Sequence, residues 1–458
     1  MKKPRYIALT DVSTGIEVDD RQSLIRLLLY SNEIQIEGLI AVTSCFLKNG
    51  AKKHNENIIH NIVNKYESVR DNLLVHAKGY PSADYLHSVT ARGISTFGKG
   101  VGKGFCEDKY CNNSGVRLII NAADKEEDPL YIGLWGGANT LAQAIWTAEK
   151  EKSRNEFDKF LSKLCIYSIS DQDYAGKWIR DNYGNRLYYI VSPSPPDRNG
   201  SKEYYKATWG GISADRNTHG SENGKDKTNG FFGADFDLVS NKWIKKNIRA
   251  VSPYGKIYPY TRFITEGDSP SFLWLIHNGL NDFEHIEYGS WGGRYTLQKL
   301  ADEKYPIFTT ASDQVLGNDH KIHCSPQASI WRWREEFQND FAARMLWTIT
   351  DKYDLANHHP IVETGNRVVY AKAGEEVLLK ADAYDPNGGR LFCHWLHYPE
   401  AGDNDFYIDL SNEKGNKIKI VVPNTAKNDV HIILKITNDG IPPLSTYARF
   451  IIKVEKSS

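Results

Sequence analysis

"RYIALTDVSTGIEVDDRQSLIRLLLY", residues 5–30, carries the reading of the fold. Its opening run, Arg5 to Thr10, is short and apolar and ends in polar residues, as a buried parallel strand does. From Asp19 onward the apolar residues recur at helical spacing, and Asp19 and Asp20 suit a helix start. "IQIEGLIAVTS" (34–44) then reads as a second strand. Strand, helix and strand in this order make a right-handed βαβ unit.

The same alternation continues outward. "AKKHNENIIHNIVNKYESV" (51–69) is an amphipathic helix and "GVRLIINAADKEE" (115–127) another. "PLYIGLWGG" (129–137) is a strand, "ANTLAQAIWTAEKEK" (138–152) a helix, "KLCIYSIS" (163–170) a strand and "DYAGKWIRDNY" (173–183) a helix. This predicts an α/β domain with a mostly parallel sheet flanked by helices on both faces. Residues 195–235 read as a packed loop insertion around Trp209, and "SIWRWREEFQNDFAARMLWTITD" (329–351) as the last strong helix. Beyond it the pattern becomes short alternating strands with turn signals such as "DPNGG" (385–389), which predicts an Ig-like β-sandwich. The expected domains are 1–355 and 356–458, joined near Asn357 to Pro360.

With 458 residues, two domains fit the length. Lysine plus arginine equals aspartate plus glutamate, 57 each, which argues against nucleic-acid or membrane-surface partners. The six scattered cysteines are no disulfide framework, although Cys106 and Cys111 are spaced to pair. No stretch is long enough to span a bilayer. The opening residues run straight into the first strand with no leader, so an extracytoplasmic location is expected only if a leader has been removed. Eleven Trp, 26 Tyr and 17 Phe suit core packing, and also stacking on sugar rings.

The loop after the first strand gathers Asp11, Glu17, Asp19 and Asp20. Like charges this close cost energy unless a positive charge sits among them. In α/β sheets ligands bind beyond the carboxyl ends of the strands. Asp11, Gly136 to Asn139, and Ser170 to Asp173 all fall at such ends, so they should converge on one crevice. N-capping alone accounts for Asp19 or Asp20 taken singly. Together with Asp11 they suit a hard cation, and Ca²⁺ fits a carboxylate cage better than Zn²⁺, for which no paired Cys/His spacing exists.

Asp11…Gly15…Asp19-Asp20, "GGANTLAQA" (136–144) and "NDFAA" (339–343) resemble the nucleoside hydrolases. "WGGANTLAQA", "EGDSPSFL" (266–273), "YGSWGGRY" (288–295), "WRWREEFQNDFAARM" (331–345) and the tail "NDGIPPL" (438–444) make the chain more similar still to nucleoside-hydrolase-like, Sde182-like cellulose-binding proteins. That resemblance spans the chain. It implies a Ca²⁺ held by Asp11, Asp20, the Asn139 carbonyl and Asp340. Asp11 would also orient or deprotonate the attacking water, and Asp19 would bind a sugar hydroxyl. The implied reaction is glycosidic hydrolysis with inversion.

Three departures matter. Asp11 lies eight residues before Asp19, where the family has four. The aspartate before the first ligand is replaced by Thr10 or Leu9. The family's histidine beside the last metal aspartate is Asn339, which is no general acid near neutral pH. A sugar-linked substrate is therefore favoured over a nucleoside, with Asn339 among the substrate contacts. Asp171, Asp173, Glu266 and Glu17 stand as candidate acids.

Plainer readings accompany each candidate. Asp173 suits a helix cap, and Glu266 and Asp268 suit caps of the helix at Pro270 as well as substrate contacts. Trp291, in a glycine-framed loop with Arg294, suits sugar stacking or simple packing, as does Trp209. "FGKGVGKGF" (97–105) fails as a phosphate loop on spacing. His358 and His359 suit a linker, and "DAYDPNGG" (382–389) a turn. Trp395, the one tryptophan of the sandwich, argues against an aromatic platform there.

The expectation is thus a Ca²⁺-dependent glycoside hydrolase acting on a carbohydrate, such as a furanoside. The alternatives are a non-catalytic polysaccharide-binding protein and an N-ribosyl nucleoside hydrolase. The partners expected are a carbohydrate and, as an open case, further copies of the chain.

Overall fold

The computed structural model describes residues 2–15, 18–47, 55–98, 104–192, 212, 233–262 and 264–455. Glu17, Trp209, most of 195–235 and residues 99–103 of the glycine-lysine run lie outside them.

Eight strands form one sheet: β1 (Arg5–Thr10), β2 (Gln35–Ala41), β3 (Thr90–Arg92), β4 (Leu130–Leu134), β5 (Leu164–Ser168), β6 (Tyr188–Val191), β7 (Tyr295–Gln298) and β8 (Ile307–Thr310). Their spatial order is β3-β2-β1-β4-β5-β6-β8-β7. Every pairing is parallel except the β7–β8 hairpin at the edge. The strand order reverses at β1, which pairs with β2 on one side and β4 on the other. The carboxyl end of β1 is therefore the topological switch point, where this kind of sheet opens a crevice.

The helices are α1 (Asp19–Leu29), α2 (Glu56–His76), α3 (Ala83–Ser88), α4 (Ser114–Lys125), α5 (Asn139–Glu151), α6 (Arg154–Ser162), α7 (Ala175–Tyr183) and α8 (Arg334–Trp347). β1 is buried throughout. Tyr6 and Ala8 face a core with Leu24, Leu28, Ile59 and Phe337, while Ile7 and Leu9 face one with Val116, Leu141 and Ile179. The period-2 alternation of a strand thus feeds two helical layers, which is why β1 has no polar face. The helix expected over 329–351 is interrupted: a turn at Ala328–Trp331 precedes α8, and Trp333 between them leaves the helical region (φ −108°, ψ 9°). No described helix is long and apolar enough to cross a membrane.

A second hairpin, β9 (Asp313–Leu316) with β10 (Ile322–Ser325), projects before α8. Then come β11 (Ile361–Thr364), β12 (Val368–Lys372), β13 (Glu376–Tyr384), β14 (Leu391–His397), β15 (Lys417–Val421), β16 (Val430–Asn438) and β17 (Ser445–Glu455). They form a β-sandwich with sheets β11-β13-β15 and β12-β17-β16-β14. Its core includes Leu379, Trp395, Ile420, Leu434 and Phe450. All six cysteines are free, so Cys106 and Cys111 do not pair.

The sandwich packs on the α/β unit through buried polar contacts. Trp291 is 1% exposed and donates its indole N–H to the Tyr447 hydroxyl at 3.2 Å. This corrects the sugar-stacking expectation for Trp291: its ring is spent on the junction, against Phe337 and Tyr447. Arg449 donates to the carbonyls of Leu280 (2.8 Å), Tyr288 (2.9 Å) and Gly289 (3.0 Å). His359 reaches back to Asp340 at 2.8 Å, so the expected linker histidine is an anchor.

Candidate metal centre

Asp11 follows directly from the end of β1, and its carboxylate accepts the Ser44 hydroxyl beyond β2. Ser44 is fixed in turn by the N–H groups of Phe46 (3.0 Å) and Leu47 (2.9 Å), which donate to its Oγ. Asp20, in the first turn of α1, accepts the Thr10 hydroxyl. Asp19 starts the same helix. The N-terminus of α1 contributes partial positive charge, which favours acids there but does not neutralise several.

The loop before the helical turn Pro270–Leu273 adds Asp268, and carboxylate oxygens of Asp19, Asp20 and Asp268 all lie within 4.8 Å of one another. Close approach is possible because residue 267 is glycine: a Cβ there would sit 2.2 Å from Asp19 Oδ2. Gly136 does the same at the end of β4, where a Cβ would meet Asp11 Cβ at 2.9 Å.

The loop itself is held from below. Glu266 is fully buried, pairs with Arg26 of α1 at 2.5 Å, and accepts the hydroxyls of Tyr258 and Ser269 at 2.6 Å each. The Glu266 N–H donates to Gln22 of α1 at 2.8 Å. Glu266 also holds φ +50°, an unusual backbone state for a residue with a Cβ. Glu266 therefore orients the aspartate loop on α1, and its carboxylate is fully engaged in doing so. This corrects its expected substrate contact.

Burial pushes the Asp11 carboxyl up to about 6 and that of Asp19 up to about 7, the latter helped by the charge of Asp11. Asp20 is raised well above the usual carboxylate range by burial and by the charges of Asp268, Asp11 and Asp19. Two full charges about 5 Å apart repel by about 3 kcal/mol even at an effective dielectric of 20. The arrangement is costly as it stands, and a divalent cation would reverse its sign. The donor set, all carboxylate oxygen with no His or Cys, fits a hard cation.

Several expected residues lie elsewhere. Asp340 is buried on α8 but pairs with Arg344 one turn on (3.0 Å) and with His359, which hold its carboxyl well below the usual range. Arg344 also donates to the Leu29 carbonyl at the far end of α1 from Asp19. Asp340 thus serves the domain junction and is not among the clustered acids, which corrects its expected place in the cage. Asp171, expected as a candidate acid lining the site and contacting substrate, is engaged by Arg180 through two bonds of 2.8 Å, with Glu303 on the same guanidinium, so an ion pair takes its carboxylate. Asn139 starts α5, its N–H donating to Asp173 (3.0 Å) and its side chain to the Thr96 carbonyl (2.6 Å). Asp173 also accepts the Ala175 N–H at 2.9 Å, the capping role expected of it. Asn339 is half-buried on α8.

Asp268 replaces Asp340 as the distant member of the cluster. In the sequence it reads as a substrate contact or a helix cap. Arg26, a charge inside the apolar run "SLIRLLL", was the available signal that a buried acid must face α1.

The sheet order, the switch point at the end of β1 and the acid cluster there are those of a nucleoside-hydrolase-like α/β protein. Residues 5–295 match the family described as cellulose-binding Sde182, nucleoside hydrolase-like domain, and the chain belongs to that family. Residues 376–454 match the C-terminal domain of cellulose-binding protein Sde0182. A solved structure from Saccharophagus degradans, a nucleoside hydrolase-related hypothetical protein associated with carbohydrate metabolism, is 30% identical. The match covers 99% of this chain and 100% of that one, with a TM-score of 0.74. No curated protein matches the chain.

Proposed function

We propose that the protein is a Ca²⁺-dependent hydrolase of glycosidic bonds in a carbohydrate. The observation that carries this reading is the mutually repelling cluster of half-buried Asp19 with buried Asp20 and Asp268, beside Asp11 at the carboxyl end of β1. In this reading those three carboxylates hold the ion. When bound, Ca²⁺ supplies charge that favours deprotonation of a water and a hold on vicinal sugar hydroxyls.

Asp11 is the base in this mechanism. The Ser44 hydroxyl fixes its carboxylate in one orientation, and its pKa, pushed up to about 6, suits accepting a proton near neutral pH. Asp19, half-buried at the start of α1, positions a sugar hydroxyl as well as the ion. Water attacks the sugar carbon opposite the leaving group and gives its proton to Asp11, while the glycosidic C–O bond breaks and the departing oxygen takes a proton from solvent, so the anomeric centre inverts. Replacement of the family histidine by Asn339 argues against an activated nucleobase leaving group.

Membership of a family described as cellulose-binding favours one second reading, a polysaccharide-binding protein without turnover. Reducing-end release from a panel of furanosides, pyranosides and nucleosides separates the two. Release by the wild type that Asp11→Asn reduces about 100-fold or more supports the hydrolase. Release that survives Asp11→Asn removes Asp11 from its role. Binding to insoluble cellulose with no release from any substrate favours the binder.

A further inference from the structure

A groove of about 600 Å³ lies between the β9–β10 hairpin and the sandwich, lined by none of the clustered aspartates. That volume is inside the range typical of ligand sites. One wall is aliphatic: Leu316 and Ile322 are cross-strand partners, 61% and 65% exposed. The other is aromatic. Tyr407 is 67% exposed, and it and Phe406 both pack on the ring of His397, with centroids 5.9 and 5.5 Å away. The His397–Phe406 rings are nearly parallel, at 8°.

The polar groups between these walls have a particular character. The Ile408 N–H donates to His397 Nδ1 at 3.1 Å, so the neutral ring carries its proton on Nε2. His397 is 2% exposed, and this Nε2 has no hydrogen-bond partner among the described residues. Glu400 accepts the Gln314 N–H through Oε1 at 2.7 Å, which ties the hairpin to the sandwich. Its Oε2 has no hydrogen bond among the described residues and lies 3.9 Å from Arg332. Both atoms are buried behind the lining, the acceptor facing Arg332, and neither is open to a ligand.

Charge narrows the ligand further. Arg332 is committed to Asp313 at 2.9 Å, and burial lowers the pKa of His394 and, to about 4, that of His397. Glu400 and Asp405 add negative charge. No uncommitted cation lines the groove among the described residues, which disfavours phosphates, nucleotides and anionic glycans. A neutral ligand with apolar faces and a rim of hydroxyls fits: pyranose rings present both, and stack on exposed aromatic faces.

We propose that this groove binds a neutral glycan chain, with Tyr407 as the stacking platform, at a site separate from the aspartate cluster. It rests on the carbohydrate reading above, and adds a place where a polymer is held away from the reacting bond. The platform is tyrosine and phenylalanine; Trp395 is buried in the sandwich core.

Calorimetric titration with cellohexaose, xylohexaose and laminarihexaose tests it. At least one should bind the full chain, Tyr407→Ala should weaken that binding tenfold or more, and Asp20→Asn should change it less than twofold. Tyr407→Ala removes an exposed ring, so its thermal midpoint should match the wild type. Binding lost in Asp20→Asn and kept in Tyr407→Ala overturns the groove, as does failure of all three glycans to bind. Sugar release measured in parallel keeps the two readings apart. Release without a Tyr407 effect leaves the hydrolase standing and removes the groove, while a Tyr407 effect without release does the reverse.

Discussion

Arg26 Nε stands 2.5 Å from Glu266 Oε2, with both side chains fully buried. This pair joins α1, which carries Asp19 and Asp20, to the loop that carries Asp268. Removing one partner of such a pair leaves a buried charge uncompensated, at a cost of about 3–5 kcal/mol. Arg26→Met should therefore lower unfolding free energy by about that amount in urea titrations. A loss below about 1 kcal/mol would mean that the pair does not hold the loop.

Gly267 tests the cluster without touching charge. Its Cβ would fall 2.2 Å from Asp19 Oδ2. Gly267→Ala should displace the Asp19 carboxylate and weaken Ca²⁺ binding tenfold or more, read by calorimetry with the metal alone. Unchanged affinity would exclude Asp19 as a ligand in this geometry.

The pH dependence of metal stabilisation has a definite sign. Asp11 and Asp19 have folded-state values raised to about 6 and about 7, and Asp20 is raised as well. Without metal, the folded state binds more protons than the unfolded chain. The stability they contribute is present below the ordinary carboxylate pKa near 4 and falls as pH rises through about 6 to 7. A divalent cation relieves the repulsion that remains. The Ca²⁺-induced rise in Tm should be larger at pH 8 than at pH 5, and EDTA should reverse it. An equal rise at both values would contradict the assignment.

The domain junction titrates in another way. His359 is raised, chiefly by Asp340 acting against its burial, and Asp340 is lowered by Arg344 and His359. A raised histidine contributes stability below its unfolded pKa near 6.5 and loses it as pH rises through the folded value. Asp340 stays ionised across this range. Between pH 6 and 9 in EDTA, the Tm of the wild type should fall more steeply than that of His359→Gln. Parallel slopes would remove the pair from the pH response.

Much of the site was legible in the local sequence. Asp11, Asp19 and Asp20 lie within ten residues, so a strand end and a helix start bring them together without help from distant contacts. Trp291 was not legible in this way. A glycine-framed tryptophan reads equally as a sugar platform or as packing, and only the approach of Tyr447 from the sandwich decides between them. Asp340 and Asp268 show the same limit. Both are acids near apolar helical segments, and the hints in the sequence are indirect: Arg344 one turn after Asp340, and Arg26 inside the apolar run of α1.

The sequence by itself determined the βαβ alternation, the change to a β-sandwich and the gathering of acid after β1. These depend on periodicity and on neighbours along the chain. The tertiary structure alone decided which distant acid completes the cluster and which are consumed in ion pairs. It also brought the β9–β10 hairpin against the sandwich to form the groove. The physical reason is that a buried carboxylate takes the role of whatever stands within about 3 Å of it. For Asp171, Glu266 and Asp340 that neighbour is an arginine. Asp19, Asp20 and Asp268 instead gather with carboxylate oxygens within 4.8 Å of one another, as "TDVSTGIEVDD" (10–20) first suggested.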